Sequence, residues 1–328
     1  MTSLSKLLPA AILTIAVFAA IPSQATTSHH KQGPAYSVNQ STGIPPTPNP
    51  PTPKKVTFAG ETHDMDRLDK YERLDREITQ MTYSHASTLL MLKRANRVFP
   101  VIAPILKANG VPTDLVYLAA IESTLNPRAY SSAKAAGIWQ FMPATAKQYG
   151  LQVDDNVDER YNLEKATAAA ARYLRQAYEK YGNWESAMAS YNGGQARITS
   201  EISAQQEPSA FDLYLVEETQ RYPYRVFAAK TIIENPKKYG FHLLADQFYA
   251  PYNAEPVTVT ETIDDLPTWA REHGTNYSML RELNPWLRSK TLPVAAGKSY
   301  TIKVPKGSLK KSDHKLTKKH LYNPNWVE

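Results

Sequence analysis

Residues 111–123 read VPTDLVYLAAIES, and this stretch decides how the chain folds and where its chemistry sits. Pro112, Thr113 and Asp114 make a helix start with an acidic first turn. Leu115, Leu118 and Ala119 follow at helical spacing, and Glu122 falls on their face, because positions three, four and seven apart align on a helix. The spacing therefore predicts a carboxyl at the end of a buried apolar stripe. A carboxyl shielded in this way keeps its proton to higher pH than a free one. Such an acid can protonate a departing oxygen, which is what cleavage of a glycosidic bond requires. Taken alone, Glu122 and Ser123 read as an ordinary helix end, so the case rests on the residues downstream of them.

Further along, residues 137–143 read GIWQFMP and residues 191–194 read YNGG. Trp139, Phe141 and Met142 would on their own be core residues. Gln140 between them carries an amide that needs a hydrogen-bond partner, and a sugar can provide one. Asn192, Gly193 and Gly194 predict a tight turn that brings backbone close to something. The acids nearest in sequence are Asp154, Asp155, Asp158, Glu159 and Glu164, in a segment that reads as a surface turn and helix start. Acids there commonly complement exposed amides and the helix dipole. One strong acid is left without an obvious partner, and that shortage suits a reaction in which the substrate supplies its own nucleophile. A hydrolase of the usual plan needs a second carboxylate.

Working outward, residues 64–99 carry a helical pattern in Leu68, Tyr71, Leu74, Ile78 and Met81, with a break or kink expected at Pro100 and Pro104. An alanine-rich helix is predicted over 164–181, stopped by Gly182, with Asn183 capping a helix over 184–191. Residues 213–235 read as helix interrupted near Pro223. The region 64–248 is thus expected to be all α. From Val257 the pattern changes to strand (257–260), helix (266–273), helix (278–283) and strand (300–304).

The 328 residues allow two domains plus tethers, since a typical domain takes roughly 100–150 residues. Residues 1–25, with Lys6, an apolar run over 7–21 and small residues at Ser23 and Ala25, read as a secretory signal peptide cleaved after Ala25; the alternative is an uncleaved anchor. No transmembrane span is expected in the mature form, because the run falls short of the ~20 residues a span needs. Residues 26–60 hold the proline run 45–53 and read as a disordered, Pro-rich linker. No cysteine is present, which excludes disulfides, thiol chemistry and a lipoprotein anchor. The net charge of +7 favours anionic partners; nucleic acid is disfavoured by export, leaving the cell wall. The 307–328 tail, with Lys310, Lys311, Lys315, Lys318 and Lys319, reads as a solvated or disordered basic end. The eight histidines show no ligand spacing, so neither metal nor cofactor is expected.

The order and spacing of these motifs resemble family 1 lytic transglycosylases, over residues 97–240 of a helical domain spanning 61–250. The resemblance implies a mostly α, lysozyme-like catalytic domain of the goose type. It implies that Glu122 is the catalytic acid, first protonating the bond between N-acetylmuramic acid and N-acetylglucosamine, then taking the proton of the muramoyl 6-hydroxyl as that group closes on its own anomeric carbon. The product is a 1,6-anhydromuramoyl end. Substrate contacts are implied for Ser123, Ser131, Gln140, Met142, Tyr191, Asn192, Glu218 and Tyr222. Lys134 stands where the family often has glycine, Ser190 and Gly193 where it has alanine, and Pro223 where it has valine. Residues 256–306 resemble a LysM module, a small α+β domain, but Thr262 to Asp265 replace its usual glycine-aspartate turn. The alternatives are a muramidase that uses water and a non-catalytic peptidoglycan-binding protein. Peptidoglycan glycan strands are the expected partner and the periplasm or cell envelope the expected location.

Overall fold

Regular structure reaches into the segment that the sequence reads as linker. The computed structural model describes residues 47–328, so the expected signal peptide and the linker up to residue 46 lie outside the described residues. Lys55–Phe58 (β1) and Glu61–Asp64 (β2) pair antiparallel around Ala59 and Gly60, both left-handed, as a two-residue hairpin turn requires. Val56 and Phe58, alternate residues of β1, enter the main core. The expectation of a disordered linker to residue 60 is thereby corrected. Residues 49–53 of the proline run have no helix or strand, yet they are fastened: the Tyr239 hydroxyl donates to the Pro51 carbonyl at 2.9 Å, and Thr52 donates to Asp75 at 2.6 Å.

Helices follow. Leu68–Tyr83 (α1) and His85–Ala108 (α2) part at Ser84, and α2 runs unbroken through Pro100 and Pro104, where a break or kink was expected. Both proline rings lie on the exposed face, while Phe99, Ile102, Ala103 and Leu106 keep the buried stripe continuous. Packing of that stripe outweighs the roughly 3 kcal/mol that an interior proline costs. A 3-10 turn, Thr113–Leu115, leads into Val116–Ser123 (α3), followed by Pro143–Gln148 (α4). Leu163–Tyr181 (α5) stops at left-handed Gly182, and the Asn183 side chain accepts from the Ser186 amide at 2.9 Å to open Trp184–Gly193 (α6). Gln195–Gln205 (α7) and Glu217–Glu234 (α8) complete the set.

α8 also passes through its proline without the expected interruption, because Tyr222, Pro223, Tyr224, Val226 and Phe227 are all buried. It packs on α1, α3 and α6. Its orientation over α1 is fixed by Glu77, a buried carboxylate that meets Arg221 at 2.7 Å, Arg76 at 3.1 Å and Arg225 at 3.5 Å. A buried charge is tolerated only when paired in this way.

The C-terminal module is built from Ala254–Val259 (β3), Leu266–Glu272 (α9), Tyr277–Leu283 (α10) and Tyr300–Pro305 (β4). β3 and β4 pair antiparallel, Ala254 opposite Pro305 and Val259 opposite Tyr300. Its small core of Leu266, Leu280, Trp286, Leu287 and Ile302 also takes in Ala136, Val157 and Tyr161 from the helical region. The backbones join as well: the Asp158 amide donates to the Trp286 carbonyl at 2.9 Å and the Arg288 amide to Asn156 at 2.8 Å.

The tail lysines at 310, 311, 315, 318 and 319 are exposed, but the chain end beyond them is not a free basic tail. Leu321, Trp326 and Val327 are buried in the main core, and Trp326 stacks on Phe248 with ring centres 5.4 Å apart. The apolar residues after the charge run explain the correction: burying them outweighs the ordering of a short segment. Both leads of the module meet at buried Asn96 in α2, whose Nδ2 donates to the Tyr249 carbonyl at 3.2 Å and whose Oδ1 accepts from the Tyr322 amide at 2.8 Å.

Candidate active site

α3 is short and almost wholly sunk in the core. Leu115, Leu118 and Ala119 are fully buried, as their spacing predicts, and Glu122 follows on their face with part of its surface open. The helix ends abruptly, with Thr124 and Leu125 at φ 51° and 55°. Six described non-glycine residues have positive φ, and four of them, Thr124, Leu125, Lys134 and Gln140, lie in this one segment. Each such residue costs on the order of 1–2 kcal/mol, so a cluster persists only where surrounding contacts impose it. Lys134 at φ 69° adopts a conformation that glycine takes without strain.

The loop after α3 is fixed at several points. The Ser123 hydroxyl is buried and bonds the Ala119 and Ile138 carbonyls at 3.1 and 3.0 Å, so it ties the helix to the loop and does not face a ligand. Ser131 Oγ accepts the Ala135 amide at 3.0 Å. Gly137 is obligatory, since a Cβ there would stand 1.9 Å from the Arg160 carbonyl oxygen. Trp139 is fully buried and donates to Thr167 at 2.9 Å; Phe141 is buried too, whereas Met142 is 43% exposed and available for contact. Gln140 Nε2 donates to the Gly137 carbonyl at 2.7 Å, which leaves its Oε1 without a protein partner among the described residues.

Two helices close on the acid. From α6, Tyr191 donates to the Trp139 carbonyl at 2.7 Å, and Asn192 Oδ1 accepts from buried Thr219 at 2.8 Å, which turns its amide nitrogen outward. Thr219 also explains Gly193: a Cβ there would lie 2.9 Å from its methyl group. From α8, the Tyr222 hydroxyl donates to Glu122 Oε1 at 2.5 Å, while Oε2 has no partner among the described residues.

Burial lifts the Glu122 carboxyl from an ordinary 4.5 to about 7; the Tyr222 hydrogen bond and the Arg225 charge pull it down and the Glu218 charge pushes it up. Burial likewise pushes Tyr191 and Tyr222 well above the usual phenol value, so both stay neutral donors. Glu218 is the one other carboxylate that acts on Glu122 among the described residues, and its effect is the weakest of the four. It is gripped by both Arg225 nitrogens, at 2.8 and 2.9 Å, and that contact holds its carboxyl below the usual range.

The other sequence candidates for a second carboxylate are engaged elsewhere. Asp154 accepts the Asn156 and Val157 amides, Asp158 pairs with Arg160 at 2.7 Å, Glu159 accepts the Gln152 amide and Lys165, and Glu164 pairs with Lys303. Asp155 is exposed. Among the described residues no three His, Asp or Glu side chains gather as a metal site would need.

Residues 100–213 match the transglycosylase SLT domain. This stretch thus carries a transglycosylase SLT domain. Residues 255–308 match the soluble lytic transglycosylase C-terminal LysM-like domain. The chain is 30% identical over 244 residues to membrane-bound lytic murein transglycosylase D of Escherichia coli strain K12, covering 72% of this chain and 51% of that protein. It therefore spans about half the length of that curated relative. Peptidoglycan transglycosylase gp16 of Escherichia phage T7 is 42% identical over 94 residues, 28% of this chain and 7% of that protein. The 70 kDa soluble lytic transglycosylase of Escherichia coli superposes with a TM-score of 0.34 at 22% identity, over 40% of this chain and 24% of that one.

The SLT match contains Glu122, Ser131, Gln140, Met142, Tyr191 and Asn192 and stops before α8, which nevertheless delivers Tyr222 to the acid. Sequence reasoning missed Arg225 and Arg160. The spacing of Glu218, Tyr222 and Arg225 along α8 carried a signal for the first, since residues three, four and seven apart share a face. Arg160 acts on the loop through a fold contact with no local pattern.

Proposed function

We propose that the chain is a peptidoglycan lytic transglycosylase that cleaves the β-1,4 bond from N-acetylmuramic acid to N-acetylglucosamine without water. Glu122 enters protonated and gives its proton to the leaving oxygen as the C1–O4 bond breaks. The C6 hydroxyl of the muramoyl ring attacks its own C1, and the carboxylate takes that hydroxyl's proton. The chain ends as it began and the glycan carries a 1,6-anhydro end. Tyr222 steadies the carboxylate in its ionised interval, while Arg225 offsets its charge from across α8. Ser131, Gln140, Met142, Tyr191 and Asn192 are the proposed glycan contacts; Ser123 and Glu218 position the acid and its surroundings.

The observation that carries this reading is an acid poised at about 7 with, among the described residues, no free second carboxylate beside it. A muramidase would have to release Glu218 from Arg225 to activate water. Digestion of purified sacculi followed by mass analysis decides between them: anhydromuramoyl ends, lost in Glu122→Gln, are expected. Reducing muramic ends, lost in Glu218→Gln as well, would reassign the chain as a hydrolase. We further propose action in the periplasm after export; no described helix is long and apolar enough to cross a membrane.

A further inference from the structure

A cleft of about 700 Å³ opens where the SLT domain meets the LysM-like module, away from Glu122, and four arginines line it: Arg128 and Arg160 from one domain, Arg281 and Arg288 from the other. Two carboxylates answer them. Arg160 is held by Asp158 at 2.7 Å and Arg128 by Glu282, while Arg281 and Arg288 make no ion pair among the described residues. Arg281 is further incomplete: Nη1 donates to the Tyr277 hydroxyl at 2.8 Å, but Nε is buried with no acceptor among the described residues. A buried unmet donor costs about 1–3 kcal/mol, more for a charged group, and an arriving anion removes that cost. Arg288 lies over the Tyr161 ring at 4.5 Å, and among the described residues its fork otherwise takes only the Pro285 carbonyl at 3.3 Å.

The cleft also shares a wall with the candidate active site. Tyr130, 60% exposed, lines it and immediately precedes Ser131. Arg160 donates from the cleft floor to the Lys134 and Phe141 carbonyls at 2.7 and 3.1 Å, holding the loop that carries Gln140. A ligand tethered to a sugar in the active site thus has a route along this loop.

We infer that this junction binds the carboxylates of the acidic peptide stems carried by the glycan, with Arg281 and Arg288 as the principal contacts. Planar guanidinium forks fit carboxylates in pairs, and flanking tyrosine faces suit a short peptide backbone. This rests on the proposed action on peptidoglycan. Phosphate-bearing polymers offer similar oxyanions, so the test separates the two sources.

Arg288→Gln alters an exposed side chain and tests the site without threatening the fold; Arg281→Gln/Arg288→Gln removes both free forks. On peptide-bearing strands the double variant is expected to raise KM about tenfold at nearly unchanged kcat, the single about threefold. On strands stripped of peptide by an amidase the effect should shrink below about twofold. Equal effects on both substrates, or none on either, would overturn the inference. N-acetylmuramoyl-L-alanyl-D-glutamate titrated into Glu122→Gln should bind more tightly than inorganic phosphate and lose affinity in the triple variant. Phosphate binding as well as the peptide overturns the assignment to stems. Peptide binding lost with the arginines, in a wild type that fails to cut sacculi, keeps this site and sinks the proposed activity instead.

Discussion

Tyr222 pulls the Glu122 carboxyl down while burial pushes it up, and the balance sets the pH at which the acid is armed. Lysis by the wild type is expected to fall as pH rises past about 7, and a rate–pH profile on sacculi measures it. Tyr222→Phe removes a contact that favours the ionised form, so its alkaline limb should move upward, with a lower maximum. Stability carries the same sign. A carboxyl whose folded value exceeds its unfolded one favours folding while protonated, fully below about 4.5, and that contribution is lost as pH rises through about 7. Glu122→Gln is therefore expected to gain on the wild type by on the order of 2 kcal/mol between about pH 5 and about pH 9, after allowing for screening of a partly exposed group. Urea denaturation at the two pH values reads the difference. At Gly137 even a methyl group collides with the Arg160 carbonyl, so Gly137→Ala should cost about 3 kcal/mol or more and depress activity with it.

Helices whose signals are local were legible before the structure: Gly182 and Asn183 punctuate α5 and α6 as read, and the stripe of Leu115, Leu118 and Ala119 buries Glu122's face. Prolines misled, because in both α2 and α8 tertiary packing outweighs a local penalty that sequence alone displays. The hairpin of β1 and β2 was hidden by the proline run before it and has only two apolar residues to announce it. Glu218 and Arg225 pair along one face of α8; how that face is turned towards Glu122 depends on the rotation of the helix, and Glu77 fixes that rotation. Glu77→Gln strips a counter-charge from beneath Arg221 and Arg225; a loss of about 3 kcal/mol is expected in urea melts. Freed from Glu77, Arg225 should also shift the alkaline limb of the Glu122 profile.

Across the whole described chain, the order of elements in the C-terminal module was readable from alternating and helical apolar patterns, whereas its attachment was not. Main-chain bonds from Asp158 to Trp286 and from Arg288 to Asn156 leave no composition signal. Nor did the lysine-rich tail advertise the burial of Trp326 beyond it. Asn96→Ala is expected to raise proteolytic nicking in the segments 249–253 and 306–320 while leaving the Glu122 pH profile in place; limited proteolysis with mass mapping checks it. Because one amide on α2 buckles both the outgoing and the returning strand of chain, the C-terminal module is a closed loop of polypeptide and not a pendant. A pendant could flail and sample distant wall, but a buckled loop works as a caliper. The arginine cleft is thereby held at one set distance from Glu122.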